Sequence, residues 1–330
     1  MSNDQPPNRA GGASLETDPA AKATDMSATD GTGSPKRAKA SKRATAVPGA
    51  SAKPPKPPAK PSKAGRNLPA AIAVGVILLG ALLAGLLFFP FAIVAIATVF
   101  AGVGVWEVSR ALAVRGIKVP MVPVLAGTAA LPLAAYFGGS ESLAFALVAT
   151  VVAVLLWRTI DSAEDAVRSI MAGIFVVLWV PFLLSFAMLL LGEPGGQVRV
   201  AVLLLLVVSN DTFGYLVGAL FGKHPMAPKI SPKKSWEGFA GSAAGATIVG
   251  IVAALVFLDQ PWWFGLVLAV ATVSAATAGD FSESMIKREL GVKDMSNLLP
   301  GHGGIMDRLD SIVFASPMVF MISVLLVPGA

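Results

Sequence analysis

An all-α, polytopic membrane protein is what this sequence predicts, and three observations carry that prediction. Of 330 residues, 55% are apolar and only 14% charged, with a mean hydropathy of +0.71. A water-soluble chain runs nearer to about a quarter charged, so this one has too few ionisable side chains to cover a surface facing water. From Leu68 onward, apolar runs of about 17–25 residues recur, the length that crosses a hydrocarbon layer of about 30 Å. The runs are continuous and not alternating, which favours helices over a strand barrel. Third, the cations between the runs collect on alternate loops. The absence of cysteine excludes disulfides, thiolate zinc sites, iron–sulfur clusters and cysteine nucleophiles, leaving chemistry to carboxylates, bases and hydroxyls.

Residues 1–67 form a separate region. They hold 12 of the 26 Lys and Arg and five of the 20 acids, a net +7 against −1 for the remainder. The stretch KPPKPPAKPSK, set among Ala, Ser and Gly without aromatic residues, cannot bury enough surface to offset chain entropy. A disordered basic tail is expected, touching anionic lipid from the cytoplasm. With no aromatic platform or folded module beside those cations, no nucleic-acid partner is expected. The tail also lacks the arrangement of a secretory signal.

The membrane region is then 68–330, with about nine spans starting near Leu68, Phe91, Met121, Leu143, Ile170, Val198, Phe239, Trp262 and Ser311. Phe89-Pro90, Gly138-Gly139-Ser140 and Asp259-Gln260-Pro261 supply the punctuation between them. With a cytoplasmic N-terminus, the inner loops collect Arg110, Arg115, Lys118, Arg158, Arg168, Lys223, Lys229, Lys233, Lys234, Lys287, Arg288, Lys293 and Arg308. The outer loops keep only Arg199. This asymmetry sets the orientation in the cell membrane and turns the C-terminus outward. Trp262 and Trp263 read as an interfacial anchor.

Two inner loops are more than connectors. Residues 221–238 read FGKHPMAPKISPKKSWEG, where prolines stiffen a backbone that alternates hydroxyls with ammonium groups, a composition suited to holding a polyanion. Lys229, Ser231, Lys233, Lys234 and Ser235 are its candidate contacts, with Glu237 able to orient the lysines. In residues 279–311, Asp280, Ser284, Lys287 and Arg288 share one face if the eighth span continues as a helix past the membrane edge. Asp307 and Asp310, three apart beside Arg308, point one way from a helix that starts there. Paired carboxylates of this kind suit Mg²⁺, which takes hard oxygen ligands from one or two carboxylates plus substrate phosphates. Asp280 and Asp211 are further candidates, Asp211 because a carboxylate inside an apolar span is costly and marks function. GHGG at 301–304 offers a backbone that can approach a phosphate, and His302 a side chain to contact one. Each carboxylate alone would pass as a helix-terminal or membrane-edge charge; four at one membrane face, among so many cations, argue for a site.

Residues 284–310, SMIKRELGVKDMSNLLPGHGGIMDRLD, resemble the signature of the phosphatidate cytidylyltransferases, or CDP-diacylglycerol synthases, at the Ser, the KR pair, KD, a small residue, LP, HGG and DRLD. Upstream, NDTFGYLVGALFGKHPMAPKISPKKSWEG is similar to that family's second characteristic region. The tail before Leu68 has no counterpart there, and Gly214 stands where Ala is more usual. The resemblance implies transfer of a cytidylyl group from CTP to phosphatidic acid, dependence on Mg²⁺, in some members K⁺ as a second cation, and a homodimer. It places metal-binding carboxylates at Asp280 and Asp307 with Asp310 close by. Phosphate contacts fall at Ser284, Lys287, Arg288 and Arg308, and the lysine-rich region at Lys229, Ser231, Lys233 and Lys234. A transporter passing an anion by Asp211 is the rival from another class, but no internal hydropathy symmetry supports it. Among enzymes, a CDP-alcohol phosphotransferase would need a D-G-x-x-A-R motif that is missing. A polyprenol kinase is separated only by the donor it uses.

Overall fold

The computed structural model describes residues 84–326, apart from 87, 161–164, 297 and 299–302, together with residue 80. The expected tail 1–67, most of the first expected span, and His302 lie outside the described residues. Among the described residues, seven helices are long and apolar enough to cross a membrane. They are α1 (Pro90–Ala113), α2 (Met121–Ile160), α3 (Ala166–Gly192), α4 (Gly196–Phe221), α5 (Trp236–Phe257), α6 (Trp262–Leu290) and α7 (Met306–Leu326). The polytopic all-α architecture is as predicted, whereas nine spans are not found among the described residues.

One reason for the lower count is the 40-residue α2, which would be about 60 Å long if straight, twice the hydrocarbon thickness. It is not straight. Gly139 interrupts it with φ of 69°, a left-handed backbone that glycine adopts without steric cost. A Cβ at Gly127 would collide with Thr150, so the arms before and after Gly139 lie side by side. The expected breaks at Gly138-Gly139 and Asp259-Pro261 both hold: Asp259 has φ of 52° and Pro261 caps α6.

The helix ends follow from local chemistry. Pro90 opens α1, where its missing N–H would be unpaired in any case. Ser235 caps α5 by accepting from Gly238 N at 3.1 Å. α6 stops at Gly291, left-handed at φ of 77°, with Lys287 and Arg288 favourably placed in its last turn. In α3, Pro181 lacks the N–H a regular ladder needs, and residues Leu178–Phe182 widen into a π turn there.

Small residues bring the helices together, as expected where lipid removes the hydrophobic drive between them. Gly214 and Gly218 of α4 face Gly238 and Ser242 of α5, Gly250 of α5 meets the backbone of Gly265 in α6, and Gly279 of α6 meets the backbone of Asp310 in α7. Large apolar side chains such as Phe145, Leu220 and Ile248 point outward, the surface lipid would cover. Trp262 and Trp263 are both exposed at the start of α6, as an interfacial anchor requires.

One element departs from the all-helical expectation. Between α4 and α5, strands β1 (Pro225–Ala227) and β2 (Ser231–Ser235) pair antiparallel, with Ala227 opposite Ser231. Pro225, Pro228 and Pro232 exclude a helix in this segment, and the extended backbone they leave closes into a hairpin. Contacts tie the loops at this end together. Arg115 donates to the carbonyl of Glu289, Arg168 to that of Arg115, and Arg288 to that of Ile230. The cation-rich loops therefore share one end of the bundle, as their charge predicted.

Candidate functional site

The hairpin roofs a cavity of about 330 Å³ between α4, α5 and α6. Asn210, Asp211, Gly214, Tyr215, Ser231, Lys233, Lys234 and Asp280 are among its lining residues. Its walls are thin because Gly214, Gly218 and Gly238 carry no side chains to fill it. Asp211 stands ten residues before the end of α4 and Asp280 ten before the end of α6. At 1.5 Å per residue this sets both about 15 Å in from the helix ends. Asp211, exposed, and Asp280, partly exposed, form a polar floor to the cavity.

The acids of that floor come from three helices. Asp280 accepts from Ser311 Oγ at 3.1 Å and is paired with Lys234 Nζ, which reaches down from β2 and also lies over the Phe281 ring. Asp211 accepts from Asn210 Nδ2 at 2.9 Å and is close enough to Asp280, Lys234 and Arg308 to feel their charges. Asp310 lies against both Asp280 and Glu283, and accepts from Ser311 N at 2.7 Å. α7 starts below the end of α6, so its first two turns face the α6 acids directly.

A second cluster adjoins the first. Lys287 Nζ bridges Glu283 Oε2 at 2.6 Å and Asp307 Oδ1 at 2.7 Å, all three side chains being largely buried. The other oxygen of Asp307 accepts from Gly304 N at 2.7 Å and Met295 N at 3.2 Å. Asp280 and Asp307 therefore stand in adjoining clusters linked by Glu283 and Asp310. Among the described residues no group of three His, Asp or Glu side chains is arranged to hold a metal ion. Glu283 Oε1 is buried with no hydrogen-bond partner. A row of mutually repelling carboxylates with an unfilled acceptor is the donor chemistry a hard divalent cation requires.

The remaining candidates separate. Ser231 and Lys233 line the cavity, Lys229 is exposed at the hairpin turn, and Ser284 is half-buried on α6. Arg288 turns outward to hold Ile230 instead of joining Asp280 and Lys287, and Arg308 is exposed near Asp211. Glu237 does not orient the lysines. Its carboxylate takes the N–H groups of Lys223 and His224 and the His224 ring, pinning the chain as it leaves α4. Ser235 lines the cavity, and its oxygen accepts the cap bond of α5 from Gly238 N while its O–H can still donate.

Sequence reasoning missed Glu107 and Glu283. Glu107, on α1, is fully buried and accepts from Ser296 Oγ, from Ile305 N at 3.0 Å and from Met306 N at 2.8 Å. A signal was present, since Glu107 is a lone carboxylate in an apolar span, the argument that singled out Asp211. These contacts also change the meaning of the glycine motif. A Cβ at Gly304 would strike the Glu107 carboxylate, and Gly303, left-handed at φ of 80°, has Asp307 Oδ2 3.0 Å from where its Cβ would stand. The glycines make room for two protein carboxylates, and the N–H groups of residues 304–306 are occupied by them.

Acids and cations gathered at one end of a helical membrane bundle, roofed by a lysine-bearing hairpin, define a polytopic membrane protein with a charged site. Comparison with known proteins gives the particular class. Residues 69–326 match the model of the cytidylyltransferase family. The chain is 41% identical over 267 residues to a phosphatidate cytidylyltransferase of Mycobacterium leprae, covering 76% of this chain and 86% of that one. It is 40% identical over 279 residues to that of Mycobacterium bovis, covering 80% and 91%. A phosphatidate cytidylyltransferase of Haemophilus influenzae is 44% identical over 122 residues, covering 34% and 41%. The chain belongs to the cytidylyltransferase family and is an enzyme of the nucleotidyltransferase class.

Proposed function

We propose that this protein transfers the cytidylyl group of CTP to phosphatidic acid, giving CDP-diacylglycerol and pyrophosphate, at the acid and lysine clusters on the cytoplasmic side of the cell membrane. The observation that carries this reading is that Asp211, Lys234, Asp280, Lys287, Asp307 and Asp310, from four separate elements, meet in two adjoining clusters at one end of the bundle. Relatives bearing the phosphatidate cytidylyltransferase name over most of the chain support the choice of substrates.

The nucleophile is an oxygen of the lipid phosphate monoester, already anionic near neutral pH, so no general base and no covalent intermediate is required. It attacks the α-phosphorus of CTP in line, and the bond to the β-phosphate oxygen breaks. The obstacle is bringing two polyanions together. Lys234 and Lys287 supply charge from within the clusters, while Arg288, Arg308, Lys229 and Lys233 supply it from the rim. Ser231, lining the cavity, and Ser284 are the proposed hydroxyl donors to phosphate oxygens. The cavity opens where CTP arrives from water, and the outer helix faces leave the acyl chains in lipid.

Asp280 and Asp307, with Asp310 and Asp211 beside them, are the groups that would hold Mg²⁺. When bound, the ion supplies Lewis-acid neutralisation of phosphate charge and eases departure of pyrophosphate. K⁺ as a second cation and a homodimeric assembly belong to the same reading. His302, in the loop between α6 and α7, is proposed as a further phosphate contact. Incubating membranes containing the protein with labelled CTP and phosphatidic acid, with and without Mg²⁺, tests the proposal. Labelled CDP-diacylglycerol and an equal amount of pyrophosphate are expected only when lipid and metal are both present, and label released as CMP without lipid would refute it.

A further inference from the structure

The described residues between 291 and 305 are anchored twice: Met295 is buried in the core with Val292 and Ile305 packed against it, and two carboxylates hold the polar backbone. Asp307 holds its two ends through Met295 N and Gly304 N, and Glu107 holds its middle and the start of α7 through Ser296 Oγ, Ile305 N and Met306 N. Glu107 comes from α1, whose other contacts with this region are apolar, as where Gly104 packs under Met306 and Leu309. Its side chain is 0% exposed, and both oxygens are occupied. A carboxylate at a helix N-terminus complements the dipole and its unpaired N–H groups. Such caps usually come from the preceding residues, but this one crosses from another span, almost two hundred residues away in sequence. It therefore sets where α7 begins relative to α1 and, through Gly304, where the Asp307 carboxylate sits.

We infer that Glu107 is a positioning residue of the site: it caps α7 from α1, fixes Ser296 and Ile305 beside it, and thereby holds Asp307 against Lys287. It touches no substrate. The inference rests on the proposed reaction only for its kinetic readout, since the loop's order is measurable without turnover.

The test is Glu107→Gln in the full chain, reconstituted in nanodiscs, with Ser296→Ala as a milder variant that removes one bond to the same carboxylate. Glutamine fills the same volume but turns one of the two acceptors into a donor that faces an N–H or O–H group, so packing is kept and the cap is weakened. Expected is a fall in kcat of at least tenfold for Glu107→Gln and a smaller one for Ser296→Ala. Hydrogen exchange should rise in residues 292–310 and stay unchanged in the rest of α1 and in α4 and α5. Wild-type kcat with wild-type exchange would overturn the inference. So would exchange rising throughout α1 and the bundle, which would make Glu107 a general structural residue. If the wild-type protein does not transfer cytidylyl groups, the proposed reaction fails, and the exchange pattern alone decides the role of Glu107.

Discussion

Replacing Lys287 with methionine is the perturbation whose size the structure sets most clearly. The ammonium group lies 2.6 Å from Glu283 Oε2 and 2.7 Å from Asp307 Oδ1, and the Lys287, Glu283 and Asp307 side chains are 14%, 2% and 9% exposed. At an effective dielectric constant of about 20, unit charges at such distances attract by roughly 6 kcal/mol per pair before desolvation is subtracted. Methionine keeps the apolar stem but leaves two buried carboxylates facing each other. Asp307 retains two backbone N–H groups, whereas Glu283 Oε2 loses the ammonium it accepts from. Breaking a buried pair from one side costs about 3–5 kcal/mol, so Lys287→Met should be destabilised by about that amount. Adding Glu283→Gln removes the orphaned charge and should restore about half of the loss. The assay is denaturant or thermal unfolding of the purified protein in one detergent, run for wild type, both single variants and the double. A Lys287→Met protein as stable as wild type, or a double variant no better than Lys287→Met, would refute the buried network.

Four further outcomes follow from the same geometry. Asp307→Ala should lower turnover by at least about a hundredfold, the size of a major electrostatic element, in steady-state assays with the fold checked by size-exclusion profile. Gly250→Ala should cost about 1–3 kcal/mol by overpacking, because a Cβ there stands 2.7 Å from the Gly265 carbonyl oxygen; unfolding measurements check it. Glu237→Gln should raise the KM for CTP more than it lowers kcat, because it frees the chain between α4 and β1 while leaving the acid floor intact. Since the chain has no cysteine, single cysteines at Lys223 and Arg199 can be labelled in sealed vesicles, and an impermeant maleimide should reach them from opposite sides.

How much of this was legible in sequence depends on the kind of signal. Apolar runs located the described helices because burial in lipid is an additive property of local composition, and the positions of Gly139 and Pro261 marked true breaks. The shared end of Arg115, Arg168, Lys234 and Arg288 was legible for the same reason, as charge obeys a rule about sides and not about contacts. The pairing within the site was not legible. Spacing read Asp307 and Asp310 as the pair with Asp280 as a further candidate, and it could not show that helix stagger sets Asp310 against Asp280 and gives Asp307 to Lys287. Arg288 bears phosphate-binding chemistry in sequence and tethers the hairpin in space, and Glu237, read beside the lysines, holds the backbone of Lys223 and His224. Glu107 escaped notice because its partners lie almost two hundred residues away. The hairpin was hidden because prolines announce the absence of helix without saying what pairs with what.

The central claim is that the polar floor holding Asp280 joins a nucleotide to a lipid phosphate. Its most direct measurement follows product formation from α-labelled CTP and phosphatidic acid by purified wild-type and Asp280→Asn proteins in lipid nanodiscs with Mg²⁺. The account predicts CDP-diacylglycerol and pyrophosphate in equal amounts from wild type and at least about a hundredfold less from Asp280→Asn. Equal rates from both proteins would contradict it.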